Sequence, residues 1–220
     1  MIYNTETLNL VLESAGQTLI MVFFTIIFAL IIGTPVGIFL NITSKDGIFP
    51  LPKVNKIVNG VINIFRSFPF LILMILVFPL SRFMVGASTG TKASIVPLAI
   101  ATAPFLARII ENSLKEVDKD LIQAAKIMGS TNWQIIYKVL LPEALPSLVS
   151  GITLTLIAIV GNSAMAGAIG GGGLGDLAIR YGYHRFRTDV LTVSVIVIIL
   201  IVSTIQIVGN CIFNKIIKRR

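Results

Sequence analysis

A single cysteine, Cys211, leaves no partner for an intrachain disulfide and excludes a cysteine-rich metal site. A single histidine, His184, excludes the two-histidine metal motifs. Charge is scarce too: only 13% of the 220 residues are Asp, Glu, Lys or Arg, about half the share usual in a soluble domain. Acidic side chains are the rarer sign, 10 against 18 basic ones, for a net charge of +8. No Lys or Arg precedes Lys45 and no A-x-A-like site follows a short apolar core, which argues against a cleaved signal peptide. The chain also lacks an H-E-x-x-H motif, clustered carboxylates and a serine set beside a base. Those absences weigh against a membrane protease or lipid transferase, and no catalytic residue is assigned.

What fills the chain instead is apolar: 55% of residues are hydrophobic and the mean hydropathy is +0.92. Three uncharged runs, 14–44, 144–175 and 190–214, are each long enough to cross a bilayer. Two weaker runs lie between them, 57–81, interrupted by Arg66, and 93–110, which reaches helical length only past Arg108. The expectation is an all-α integral membrane protein, one domain over 1–220, with five spans near 15–42, 57–81, 92–110, 146–170 and 190–213.

Basic residues set the orientation, because Lys and Arg are retained on the cytoplasmic side. With the N-terminus outside, the cytoplasmic segments hold Lys45, Lys53 and Lys56, then Arg108, Lys115, Lys119, Lys126 and Lys138, then Lys215, Lys218, Arg219 and Arg220. The outer segments hold only Arg82, Lys92, Arg180, Arg185 and Arg187. Topology therefore accounts for the positive charge, and no nucleic-acid partner is needed. The longest polar stretch, 108–143, is too short for a separate domain, so any catalytic engine sits on another chain. No inverted repeat of the kind found in many secondary transporters is visible, and five spans do not divide into equal halves.

The loop 116–142 carries strong local signals. Asp118 is a candidate N-cap, with Glu116 and Asp120 placing negative charge at a helix start. Leu121, Ala124, Ala125 and Met128 then share a face before Gly129 supplies a stop. Thr131 and Gln134 have capping-box spacing, so a second helix is expected from Asn132 until Pro142 blocks it. A helix this short is marginal alone. Its small face must pack either on another protein or on the chain's own span ends, and the residues alone favour neither.

Gln123-Ala124-Ala125, three residues, Gly129, nine residues, then Val139-Leu140-Leu141-Pro142 resembles the EAA loop of ATP-binding-cassette importer permeases, E-A-A-x3-G-x9-I-x-L-P. Gln123 stands where the family has glutamate and Val139 where it has isoleucine. The likeness narrows over NIFRSFPFLIL from Asn63, APFLARIIEN from Ala103 and GAIGGGGLGDLAIRYGYHRF from Gly167, which look like permease subunits of methionine importers. It implies the type I ABC importer permease fold, with the first loop helix as a coupling helix docked on an ATPase through Gln123, Ala124, Ala125, Met128, Gly129, Leu141 and Pro142. It also implies a bacterial plasma-membrane location, a second copy of the chain, two ATPase subunits that hold ATP and Mg, and a methionine-binding protein outside. The chain itself would bind no cofactor.

Other features keep two readings at this stage. Gly170 to Gly175 formally fits G-x-G-x-x-G, but no strand precedes it, and glycines there more readily allow backbones to approach. Met165 either plugs a closed pore from the outer end of its span or packs in an ordinary way. Arg66 either snorkels, or follows an interfacial helix that turns at Pro69 and faces a water-filled cavity. Tyr181, Tyr183, Arg185 and Phe186 form either an interfacial aromatic belt or a docking surface. The competing functions are an importer permease for another amino acid and an autonomous ion-coupled carrier or channel for a small solute, although every Asp and Glu lies at a flank or in a loop.

Overall fold

The computed structural model describes residues 5–218, so Arg219 and Arg220 lie outside the described residues. The chain is helical from α1 (Thr5–Ile42) through α2 (Pro52–Ser67), α3 (Phe70–Val85), α4 (Thr91–Lys115) and α5 (Lys119–Ile127). It continues through α6 (Asn132–Ile135), α7 (Leu141–Gly167), α8 (Gly173–Leu177) and α9 (Thr188–Ile217). Four helical stretches are long and apolar enough to cross a membrane: Thr7–Ile42, Thr91–Lys115, Asn132–Gly167 and Thr188–Ile217.

The expected span 57–81 is not one rod. α2 and α3 pass as a membrane element only together, and they meet at an angle of 104°. Pro69 lacks the N–H that would continue α2, and its ring pushes Phe68 into extended backbone, φ −71° and ψ 131°. α2 is amphipathic, with Lys53, Asn55, Lys56, Asn59, Asn63 and Arg66 along one arc, whereas α3 is apolar throughout save Ser81 and Arg82. The segment is thus an amphipathic helix that turns at Pro69 into an apolar one.

The expected helix stop at Pro142 is also absent. α6 and α7 form one rod because the residues between them, Ile136–Leu140, are wound as a π-turn. Leu141 N–H donates to the Ile136 carbonyl five residues back. The widened turn seats Pro142, whose missing N–H and bulky ring would break an ordinary α register there. The rod ends at Gly167, so Gly170 lies in the turn beyond it and not within a span.

Of the four spanning stretches α4 is the most enclosed, with more than half of its spanning window buried. Small residues bring α1 onto it. A Cβ on Gly33 would stand 2.9 Å from the Ala103 carbonyl oxygen, and one on Gly37 would stand 2.6 Å from that of Ala107. Glycines one turn apart facing alanines one turn apart let the two backbones touch, which is how helices bind where lipid is as apolar as leucine. The largest core cluster runs along this crossing to both sides of it, with Val22, Ile26 and Ala29 of α1, Leu106, Ile110 and Leu114 of α4, and Ile159 and Val160 of α7 among its members. α9 lies outermost, and it and α1 turn large apolar side chains such as Leu19, Phe23, Ile199 and Leu200 outward, as lipid contact requires.

Gly37→Val should overpack this crossing, at a cost of roughly 1–3 kcal/mol. It should lower the thermal midpoint of the detergent-solubilised protein. Gly16→Ala, where an added Cβ meets nothing within 4 Å, should leave the midpoint unchanged or raise it. Equal midpoints for wild type and Gly37→Val would remove the crossing from its central role.

Candidate functional site

Three groups of functional candidates stand on this frame, and the loop 116–142 is the best defined. Asp118 caps α5 by accepting from the Asp120 N–H at 2.9 Å. The helix runs nine residues and ends in a Schellman turn: Gly129 N–H donates to the Lys126 carbonyl at 3.0 Å and Ser130 N–H to that of Ala125 at 3.1 Å. Gly129 has φ +80°, a left-handed conformation that a side chain resists. The capping box forms as expected, with Gln134 N–H donating to Thr131 Oγ1 at 3.3 Å and Thr131 N–H to Gln134 Oε1 at 2.8 Å. The break between the two helices is therefore held by backbone on both sides.

α5 packs on the chain itself along one face and leaves the opposite face exposed. Ala125 is buried and half-buried Ile122 joins the main core, so one face rests on the chain itself. Gln123, Ala124 and Leu121 face outward, and Ile127 and Met128 are 87% and 84% exposed. Ala125 thus parts from Leu121, Ala124 and Met128, with which it was expected to share a face, because the helix rotates to bury its (i, i+3) pair Ile122 and Ala125. Ile127, which the four-residue stripe missed, joins them on the outside. Leu141 is half-buried and Pro142 exposed at the other end of the loop, beside the stacked and exposed pair Trp133 and Tyr137.

Glu111, on the preceding helix, is 2% exposed and bonded by two cations, Arg108 at 2.5 Å and Lys115 at 2.6 Å. Arg108 also donates to Asn63 Oδ1 at 3.0 Å and so ties α2 to α4. A buried carboxylate persists only with such partners. The spacing of Arg108, Glu111 and Lys115 at (i, i+3) and (i, i+4) was a readable signal for this cluster.

Arg66 opens onto a cavity of about 240 Å³ at the α2–α3 break, lined also by Phe65, Phe68, Phe70 and Leu73, by Ala101, Thr102 and Phe105 of α4, and by Ala158 and Asn162 of α7. Met165 is not part of its wall. It lies half-exposed one turn beyond Asn162, on the same face of α7 as Ala158 and Asn162. Gly170 is farther on, where its carbonyl accepts from Gly90 N–H at 2.8 Å and joins the turn after α7 to the start of α4.

The glycine run packs on α1. Gly173 N–H donates to Gln17 Oε1 at 2.8 Å and Leu174 N–H to Thr18 Oγ1 at 2.9 Å, so α1 side chains cap α8. Gly172 and Gly173 both have positive φ, and a Cβ on either would strike Gln17 or Thr18. The amides that a pyrophosphate would need are already occupied, which removes the dinucleotide reading. Beyond α8 a π-turn over Ala178–Tyr183 leads to Tyr183 and Phe186, 70% and 86% exposed, while Arg180 and Arg185 lie over the Tyr181 ring.

Against known proteins, the family model described as binding-protein-dependent transport system inner membrane component matches residues 33–220. The chain is 49% identical over 197 residues to the probable D-methionine transport system permease protein MetI of Pasteurella multocida (strain Pm70), spanning 90% of this chain and 91% of that one. It is 49% identical over 180 residues to the methionine import system permease protein MetP of Bacillus subtilis (strain 168), spanning 82% and 81%. Its fold matches a chain solved in inward-facing conformations of the MetNI methionine ABC transporter with a TM-score of 0.95, at 42% identity over 97% of this chain and 99% of that chain.

Thr18→Val should leave the buried Leu174 N–H without its acceptor, at a cost on the order of 1–3 kcal/mol. Hydrogen exchange across 171–177 should accelerate while α5 exchanges as in the wild type. Unchanged protection there would show that the cap contributes nothing.

Proposed function

The chain belongs to the family of binding-protein-dependent transport system inner membrane components, and from that premise we propose that it is the permease subunit of an ATP-driven importer of methionine. The protein has the type I ABC importer permease fold and is a multi-pass component of a bacterial inner membrane. It is not itself an enzyme: hydrolysis belongs to a separate ATPase subunit. The high identity to permeases named for methionine, over most of both chains, supports the substrate.

The observation that carries the mechanism is the two-faced α5 helix. Its inner face, Ile122 and Ala125, is fastened to the span ends, and its outer face presents Gln123, Ala124, Ile127 and Met128. A rigid peg of this kind suits a groove on an ATPase. Gln123 supplies hydrogen bonding without charge, Gly129 sets the exit angle, and Leu141 and Pro142 close the loop against the rod that follows. Two copies of the chain would enclose the path, two ATPases would hold ATP and Mg on the cytoplasmic side, and a methionine-binding protein would dock outside. The N-terminus would lie outside and the C-terminus in the cytoplasm.

When the ATPases close on nucleotide, the two pegs approach and carry the α6–α7 rods with them, a rigid-body alternation between inward and outward openings. Arg66, Met165 and Gly170 would lie along the path, Arg66 on a cavity wall and Met165 and Gly170 toward its outer end.

Proteoliposomes that hold this chain, its ATPase and its binding protein, with ATP on the ATPase side, should take up methionine only when all three components are present. Uptake without the ATPase would replace the importer with an autonomous carrier, and ATP-driven uptake of another solute alone would replace the substrate. Gly129→Val, which forces a β-branched residue into left-handed backbone at on the order of 1–2 kcal/mol, should insert normally yet move fewer methionines per ATP hydrolysed. Wild-type stoichiometry in that variant would refute the coupling role of the turn.

A further inference from the structure

We propose that the cavity at the α2–α3 break is a binding site, within the permease itself, for the free amino acid in transit, reading its carboxylate, its ammonium group and its apolar side chain separately. The proposal rests on the import reading above. It adds that the permease holds the solute at a defined place and does not merely let it pass.

Three observations converge on that cavity. Arg66 is the one charged residue in its lining, and no described residue bonds to it. Thr102 is 4% exposed and its hydroxyl has no partner. Among the described residues Thr25 and Ser81 share this state, and Thr102 is the one of the three in this lining, whereas Thr18, Thr43, Thr153 and Thr155 each donate to the carbonyl four residues back. A buried hydroxyl without a partner costs free energy that a ligand atom can recover. Asn162 adds an unpartnered amide from α7 on the same wall.

The break itself supplies a further element. α3 restarts at Phe70 with its first bonds, from Ile72 and Leu73, both made to the Pro69 carbonyl. The carbonyls of the last turn of α2 therefore face no continuing helix, and the first amides of α3 have no preceding one. One half-helix end favours a cation and the other an anion, side by side beside Arg66. Phe65, Phe68, Phe70 and Phe105 complete the wall with aromatic surface, on which an aliphatic or thioether side chain packs well. A simple anion would leave the carbonyls and rings unused, and a simple cation would be repelled by Arg66. A zwitterion with an apolar side chain uses all of them.

The test is protection of a cavity thiol in the permease–ATPase complex in nanodiscs without nucleotide. Ala158→Cys in a Cys211→Ser background places a reporter on the cavity wall, and Ala101→Cys is the second reporter should the first assemble poorly. The rate of methanethiosulfonate labelling is read on this chain by mass spectrometry. Methionine should slow labelling, whereas methioninol, which lacks the carboxylate, should do so only at concentrations about tenfold higher or more, the loss expected for a charge-assisted bond. Arg66→Gln should abolish the difference between the two compounds, Arg66→Lys should restore part of it, and Thr102→Val should weaken protection by methionine. Equal protection by both compounds, or discrimination that survives Arg66→Gln, would overturn the site while wild-type uptake leaves the importer standing. Failure of the complete wild-type system to import methionine would overturn the import reading first, and this proposal with it.

Discussion

The crossing of α1 over α4 is the contact on which the other helices depend. Lipid gives two apolar helices no hydrophobic reason to associate, so they must gain enough dispersion contact to offset leaving the lipid. Gly33 and Gly37 against Ala103 and Ala107 provide it by removing the side chains that would otherwise hold the backbones apart. Once α1 is seated, α4 has a fixed position, and α2, α3 and α7 take theirs against its remaining sides. Polar groups then finish what packing begins. Arg108 ties α2 to α4, and Asn55 donates to the Leu40 carbonyl at 2.7 Å and to Thr43 Oγ1 at 2.9 Å, pinning α2 to the end of α1.

Local chemistry was the legible part of the sequence. The N-cap at Asp118, the stop at Gly129 and the capping box at Thr131 depend on neighbours within a few residues, and each forms as its spacing predicts. The long apolar runs were equally plain. Pro142 was misread because a proline normally ends a helix, and nothing local announces that the preceding turn will widen to admit it. The burial of Ala125 was not readable, because a nine-residue helix with apolar residues on several sides does not declare which of them faces home. That choice belongs to the core around Ile122.

The cavity side chains were least legible. Arg66 stood out as a charge in an apolar run, but Thr102 and Asn162 are unremarkable in sequence and gain meaning only when α4 and α7 meet the break. Gln17 and Thr18 carried no signal either, since their partners lie 156 residues away. The G-x-x-x-G spacing of Gly33 and Gly37 was visible, and in an apolar helix it marks a close crossing.

The α6–α7 rod is fastened differently at its two ends. Where it runs into the glycine turn, the grip is made of hydrogen bonds, from Gly90 to the Gly170 carbonyl and from the Gly173 and Leu174 amides to α1. Near the loop, where Leu140 and Ala144 are buried, it is held mainly in the apolar cluster, with a hydrogen bond from Ser147 Oγ to Ser113 Oγ at 3.1 Å beside it. Hydrogen bonds weaken steeply with misalignment, whereas apolar surfaces slide past one another at little cost while contact is kept. The rod is in effect a lever pinned at the glycine turn by hydrogen bonds to two other helices and bedded largely in apolar contact at the loop, the end that carries the peg.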